Sequence, residues 1–178
     1  MRRLFIALPV FITSLAVINP ASAERDLRHF GALGLGLGIP DDAAFRENYR
    51  QGFSGSLGYG TRLGRSGRFF AYGFLAYNRF RAKEHVRIGD DYFINFDANV
   101  RWYVGVPVRE NSGYVGLGPG VYWDKDSNVF FGGNIAIGGD FPVGDGWSVT
   151  ADIAQHIVDS RDKGAFLTIC VGAAYWFM

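Results

Sequence analysis

The chain has 178 residues with 18 basic and 17 acidic side chains, so its charge points to no partner of either sign. That balance argues against a basic nucleic-acid binder, and a 16% aromatic content argues against disorder. One cysteine excludes an intramolecular disulfide framework and a thiolate metal cluster, while 25 glycines are about twice the usual share.

Arg2 and Arg3 precede an apolar run over residues 4–18, and Ala21-Ser22-Ala23 follows. A positive start, a short apolar stretch and an A-x-A site predict a cleaved secretory signal peptide over residues 1–23. The apolar core is short for a membrane helix, and Pro9 and Pro20 interrupt it. Residues 24–178 are then one slightly acidic domain.

Past residue 24 no apolar run approaches the length of a membrane helix. Strict alternation recurs instead, the mark of strands with two unlike faces. Strands are predicted over residues 30–39, 53–63, 68–81, 94–104, 115–123, 131–141, 147–156 and 167–177. The fourth is the clearest: Ile94, Phe96, Ala98, Val100, Trp102 and Val104 alternate with Asn95, Asp97, Asn99, Arg101 and Tyr103. In the first, Leu33, Leu35 and Leu37 alternate with Gly34, Gly36 and Gly38. The third is aromatic on both faces, so its register is the weakest. Pro119 cannot donate to a ladder and predicts a bulge or local kink in the fifth.

The connections differ in kind at the two ends. Residues 64–67, 105–113 and 142–146 are glycine-containing turns, whereas 40–51 and 83–91 are longer and charged. The segments 124–128 and 159–163 are short but polar. With the N-terminus in the periplasm, the turns lie on the periplasmic side and the polar loops face outward.

In a soluble lipocalin-like carrier the apolar face would point inward and the other would meet water. A solvated face normally carries Lys, Glu, Gln and Thr. Here that face carries Gly, Ser, Ala and Asn with few charges, which suits the narrow interior of eight strands. The predicted fold is therefore all-β, an eight-stranded antiparallel up-and-down transmembrane β-barrel, with the apolar face toward lipid. Aromatic residues near strand ends fit two interfacial girdles: Phe53, Phe80, Tyr92 and Trp123 outside, and Trp102, Trp147, Tyr175 and Phe177 inside.

The signal peptide, the eight alternating segments, the run from Val115 to Tyr122 and the terminal run from Val171 to Phe177 resemble the OmpA/OmpX-type small outer-membrane β-barrel superfamily. The resemblance spans essentially the whole mature chain. It implies a monomer in a Gram-negative outer membrane, in contact with outer-membrane lipids and lipopolysaccharide. It also implies an assembly signal, read by the barrel-assembly machinery, at Tyr175 and Phe177, although Met178 follows them.

On the alternation, Arg62, Arg79, Asn95, Asp97, Asn99, Arg101, Asp140 and Asp152 face the lumen. Three cations against three carboxylates suit a paired polar plug better than a charge-selective pore, which would place one sign at a constriction. A narrow gated channel is the first alternative. A lipid A-modifying hydrolase is the second: deacylases resembling this fold use a His-x-Ser pair with a nearby acid. His29, His85 and His156 are scattered, and Ser160 near His156 has neither that spacing nor a strand position. The glycine runs at 31–38 and 116–120 follow strands rather than phosphate-binding loops, no cofactor or metal pattern is present, and Cys170 reads as a small lumen filler. Arg79, Arg81, Lys83 and Arg87 form a cationic group suited to lipopolysaccharide phosphates, or else a polar loop balanced by Glu84, Asp90 and Asp91.

Overall fold

Alternating side chains fix the whole architecture, because each strand must send one face to the axis and the other away from it. The computed structural model describes residues 28–85, 89–105, 107, 110–160 and 163–178, so the predicted signal peptide and Arg87 lie outside the described residues. In chain order the elements are β1 (His29–Pro40), α1 (Ala43–Asn48), β2 (Tyr49–Arg50), β3 (Gly52–Leu63), β4 (Phe69–Ala82), β5 (Asp91–Val104), β6 (Ser112–Asp124), β7 (Val129–Gly144), β8 (Trp147–Val158) and β9 (Ala165–Phe177). Each long strand pairs antiparallel with its neighbours, and β1 pairs with both β3 and β9. The sheet thus closes into an eight-stranded barrel, with the two-residue β2 added beside the end of β4. Closure removes the unpaired edges that a membrane cannot tolerate.

The polarity is inside-out. Phe96, Val100 and Trp102 are 43–48% exposed on the outer wall, whereas Asn95 and Asp97 on either side of Phe96 are fully buried. Leu33, Leu35, Leu57, Leu117, Ile137 and Val171 extend the same apolar band around the barrel. Among the described residues no helix is long and apolar enough to cross a membrane, so strands alone form the wall.

Inward glycines stand opposite large rings. A Cβ at Gly60 would overlap the Phe30 ring, and one at Gly58 would overlap Tyr72. Gly138 stands in the same way against Tyr114. Small residues on one strand therefore make room for aromatic residues on the next, as a narrow barrel interior demands.

Three expectations need correction. Inward positions on β4 are the even ones, Tyr72, Ala76, Asn78 and Phe80, so Arg79 lies on the outer face and not in the lumen. Phe80 is likewise interior and fully buried, not part of a girdle. The cause is packing: Phe80 fills the axis beside Phe45, Phe93 and Phe166, while Arg79 reaches Asp90 outside. Of the bulge or local kink expected at Pro119, the bulge is absent, and the irregularity there is a lapse in pairing. The β5–β6 ladder lapses at Ala98 and Asn99 and resumes in unchanged register, from Asp97↔Gly120 to Val100↔Leu117. A register shift occurs instead at Pro142/Gly144, beside a tight turn in which Gly144, Asp145 and Gly146 all have positive φ.

The 40–51 connection is more ordered than its composition predicts. Asp42 caps α1 by accepting from the Ala44 amide at 2.9 Å, and the helix then drops Phe45 onto the axis.

Candidate functional site

Three layers fill the lumen from the turn end to the loop end. The lowest is aromatic: Phe30, Phe70, Tyr72, Tyr103, Tyr114 and Trp176 pack together, all supplied by strands. Trp176 donates its indole N–H to Ser148 Oγ at 3.0 Å. Arg101 is threaded through this layer, its guanidinium carbon 3.6 Å from the Tyr72 ring centre and 4.3 Å from that of Tyr114. A desolvated cation between two π faces gains about 2 kcal/mol or more. Its opposite charges are Asp140 and Asp152. Asp152 accepts from Tyr114 at 3.1 Å, while Asp140 is buried beside Ser112 without a direct hydrogen bond. Arg62 points inward, half-buried, toward the same end.

The middle layer is a hydrogen-bonded belt. Ser54 on β3 donates to Asn78 on β4 at 2.7 Å, and Asn78 donates to Asn95 on β5 at 2.8 Å. Asn95 donates to Asp97, which also accepts from Tyr122 on β6 at 2.9 Å and Asn134 on β7 at 2.6 Å. Asn99 donates to Asn134 at 2.8 Å. Since the Tyr122 proton goes to Asp97, His156 on β8 donates from Nδ1 to the Tyr122 oxygen (3.1 Å) and accepts at Nε2 from Thr168 on β9 (3.3 Å). Cys170, also on β9, contacts Ser54 through Sγ at 3.8 Å, while no hydrogen bond among the described residues joins it to Thr168. Only β1, whose inward residues here are glycines, stays out. Between this belt and Arg101 lies a small cavity in which water centres fit over about 30 Å³, room for two waters or so.

The top layer is aromatic again: Phe45, Tyr49, Phe80, Phe93, Tyr122 and Phe166, with Val158. Unlike the bottom layer, it depends on segments outside the barrel wall. Lys163, in the β8–β9 loop, binds Asp91 at 2.7 Å and Asp124 at 3.1 Å, and its ammonium lies 5.6 Å from the Phe93 ring centre. The Asp41 and Asp42 amides donate to the Ala165 carbonyl and fasten the α1 loop to the same place. Burial alone would raise the Asp124 carboxyl, but hydrogen bonds from Asn128 and Lys163 hold it below its ordinary value. Burial would lower Lys163, and Asp91 and Asp124 outweigh it and raise the ammonium.

The structure therefore brings Asn95, Asp97 and Asn99 together in the belt and Arg101, Asp140 and Asp152 together beneath it. Arg79 stands apart on the outer wall, bound to Asp90 through Nη2 at 2.7 Å and Nε at 3.1 Å. Arg81 is exposed on the same face, and Lys83 donates to the Arg46 carbonyl at 2.5 Å. Tyr175 and Phe177 are outward at the turn end, Tyr175 against Trp147 and Phe177 against His29. The alternation of their strands puts Ser54, Asn134, His156 and Thr168 on the inward face, but it carries no signal that they form one network. Asn78 was hidden by the ambiguous register of its strand.

Sequence and structure comparisons agree with this geometry. Among solved structures, Neisserial surface protein A superposes with a TM-score of 0.65 at 11% identity, covering 84% of this chain and 97% of that one. The N-terminal β-barrel domain of Pseudomonas aeruginosa OprF gives 0.56 at 13% identity, covering 84% and 98%. Ail, the attachment invasion locus protein of Yersinia pestis, gives 0.53 at 17% identity, covering 84% and 99%. No curated protein matches the chain. A family model described as outer membrane protein beta-barrel domain matches residues 9–177. With nearly its whole length matched and its polarity inside-out, the chain belongs to the outer membrane protein beta-barrel domain family and resides in the cell outer membrane.

Proposed function

We propose that this protein is a non-enzymatic surface barrel, whose loop end faces outward as its working face and whose lumen is a structural plug. The observation that supports this best is the layered filling: aromatic plugs at both ends and a hydrogen-bonded belt spanning seven strands between them. A pore needs a continuous aqueous path. Here aromatic layers lie on both sides of the small water space lined by the belt and Arg101.

The hydrolase alternative finds little support in the candidate base. His156 is buried, stacked on Phe166 at 4.5 Å, and both ring nitrogens are taken by Tyr122 and Thr168. A general base needs a free nitrogen within reach of a nucleophile. Outer-membrane lipids are then its surroundings, not its substrates. During biogenesis, Tyr175 and Phe177 would be presented to the barrel-assembly machinery by the last strand, and the mature protein would be a monomer.

Two measurements test the reading. Planar bilayers holding the purified protein should show no steady openings; sustained ion-selective current would overturn the plug. Lipid A from cells with and without the protein should have the same mass spectrum, and a lost acyl chain would establish the hydrolase instead.

A further inference from the structure

The outer wall near the loop end carries an unusual pair of charges. Along β4, outward residues run Leu75, Tyr77, Arg79 and Arg81 toward the loops. Apolar gives way to aromatic and then to guanidinium. Tyr77 packs against Tyr92 at 5.5 Å, as a girdle at the acyl boundary would. At roughly 3.3 Å per residue and a tilt near 40°, Arg81 stands about 10 Å above Tyr77, within the headgroup layer.

Arg81 is directly opposite Arg50 across the β2–β4 pair, and both are exposed on the outer face. Facing positions on neighbouring strands put Cβ atoms about 5 Å apart, where like charges repel. Neighbouring cations are already engaged, Arg79 by Asp90 and Lys83 by a backbone carbonyl. Arg50 meets Glu84 at 3.2 Å, but that carboxylate is 94% exposed and binds weakly. Arg81 has no hydrogen bond or ion pair among the described residues. Two guanidinium side chains at facing positions, Arg81 coupled to Asp90 only through space and Arg50 loosely held, suit the fork geometry of a phosphate.

We propose that Arg50 and Arg81 clamp a phosphate group carried by a lipid of the outer leaflet. The clamp lies on the side of the wall and above a tyrosine pair, not on top of the loops. A lipid held there by its phosphate can lay its acyl chains along Tyr77 and Leu75, which a soluble phosphate cannot do. The proposal rests on the surface-barrel reading, with the loop end outward. It replaces the Arg79–Lys83 grouping with a pair that includes Arg50.

The test places the purified protein in nanodiscs of zwitterionic phospholipid with a minor fraction of bis-phosphorylated lipid A, and counts retained lipid A by native mass spectrometry. Relative to wild type, the double variant Arg50→Gln/Arg81→Gln should lose retention by about tenfold or more. Lys125→Gln, which removes a cation from the β6–β7 loop, should retain lipid A as wild type does. Dephosphorylated lipid A should bind wild type no better than it binds the double variant. The clamp is overturned if the double variant keeps wild-type retention, if Lys125→Gln loses as much, or if inorganic phosphate displaces lipid A at equal concentration. Bilayer recordings on the same preparations keep the two ideas separate. An intact seal with unchanged retention sinks the clamp alone, whereas steady conductance sinks the broader reading.

Discussion

The two ends of the lumen are closed with similar rings but held in different ways. At the turn end every plug residue is on a strand, and the layer is locked by Arg101 between Tyr72 and Tyr114. At the loop end the plug leans on α1 and β2, and a lysine from a loop pins it to Asp91 and Asp124. Opening the first means breaking barrel packing. In the second, Phe45 and Tyr49 can leave when a short helix and a loop move away, while Phe80, Phe93, Tyr122 and Phe166 stay on the wall. The comparison teaches that aromatic content alone does not set rigidity; the rings carried by α1 and β2 can move where those anchored in the hydrogen-bonded wall cannot.

The sharpest way to break the comparison is Arg101→Met. It leaves Asp140 and Asp152 buried without their cation and should cost about 3–5 kcal/mol, read from urea unfolding in lipid vesicles. Arg101→Lys keeps the charge but not the stacked plane, and should fall between that variant and wild type. Next comes the belt: Asp97→Ala strands the donors of Asn95, Asn134 and Tyr122, and should cost roughly 2–3 kcal/mol in the same assay. At the loop end, Lys163→Met should lower global stability by only about 1 kcal/mol, because the cap opens before the barrel does. Hydrogen exchange in α1 and residues 159–164 should accelerate by about tenfold, with β4–β9 unchanged.

The pH response sharpens the contrast further. Asp124 is depressed in the folded state, so its stabilisation is present above about 3.9 and is lost as pH falls through the lower folded value. Lys163 is raised, so its contribution is present below about 10.4 and is lost as pH rises through the higher folded value. A spin label at Ser160 should therefore be immobile across neutral pH and mobilise at both extremes. In Lys163→Met the label should be more mobile at neutral pH, and its alkaline step should vanish. The smallest effect belongs to Arg79→Gln, an exposed pair with Asp90, which should change unfolding by no more than about 0.5 kcal/mol.

Alternation reveals much of this molecule. On β5, each polar residue from Asn95 to Arg101 falls inward because a one-residue slip would send every apolar neighbour into the lumen. The same logic fails on β4, where Phe69, Tyr77, Tyr72 and Phe80 give both faces an aromatic character. There the inward parity is set by partners on other elements, Phe45 and Phe166, which no local pattern displays. The α1 cap has a local signal in Asp42, yet six residues are too few to show a helical period. The belt is the least legible feature. Its members are Ser, Asn, Asp, Tyr, His and Thr residues spread over seven strands, and only the barrel's register brings them into reach.

The most direct test uses the four tryptophans, three of them outward (Trp102, Trp123 and Trp147) and one buried in the turn-end plug (Trp176). Fluorescence of the variant Trp102→Phe/Trp123→Phe/Trp147→Phe, reconstituted in vesicles, reports Trp176 alone. It should resist both acyl-brominated lipids and aqueous acrylamide, while a variant retaining only Trp102 is quenched by the brominated lipids. Quenching of Trp176 by acrylamide would reveal an open lumen, and quenching by brominated lipids would reveal the opposite facing of the wall; either result contradicts the account.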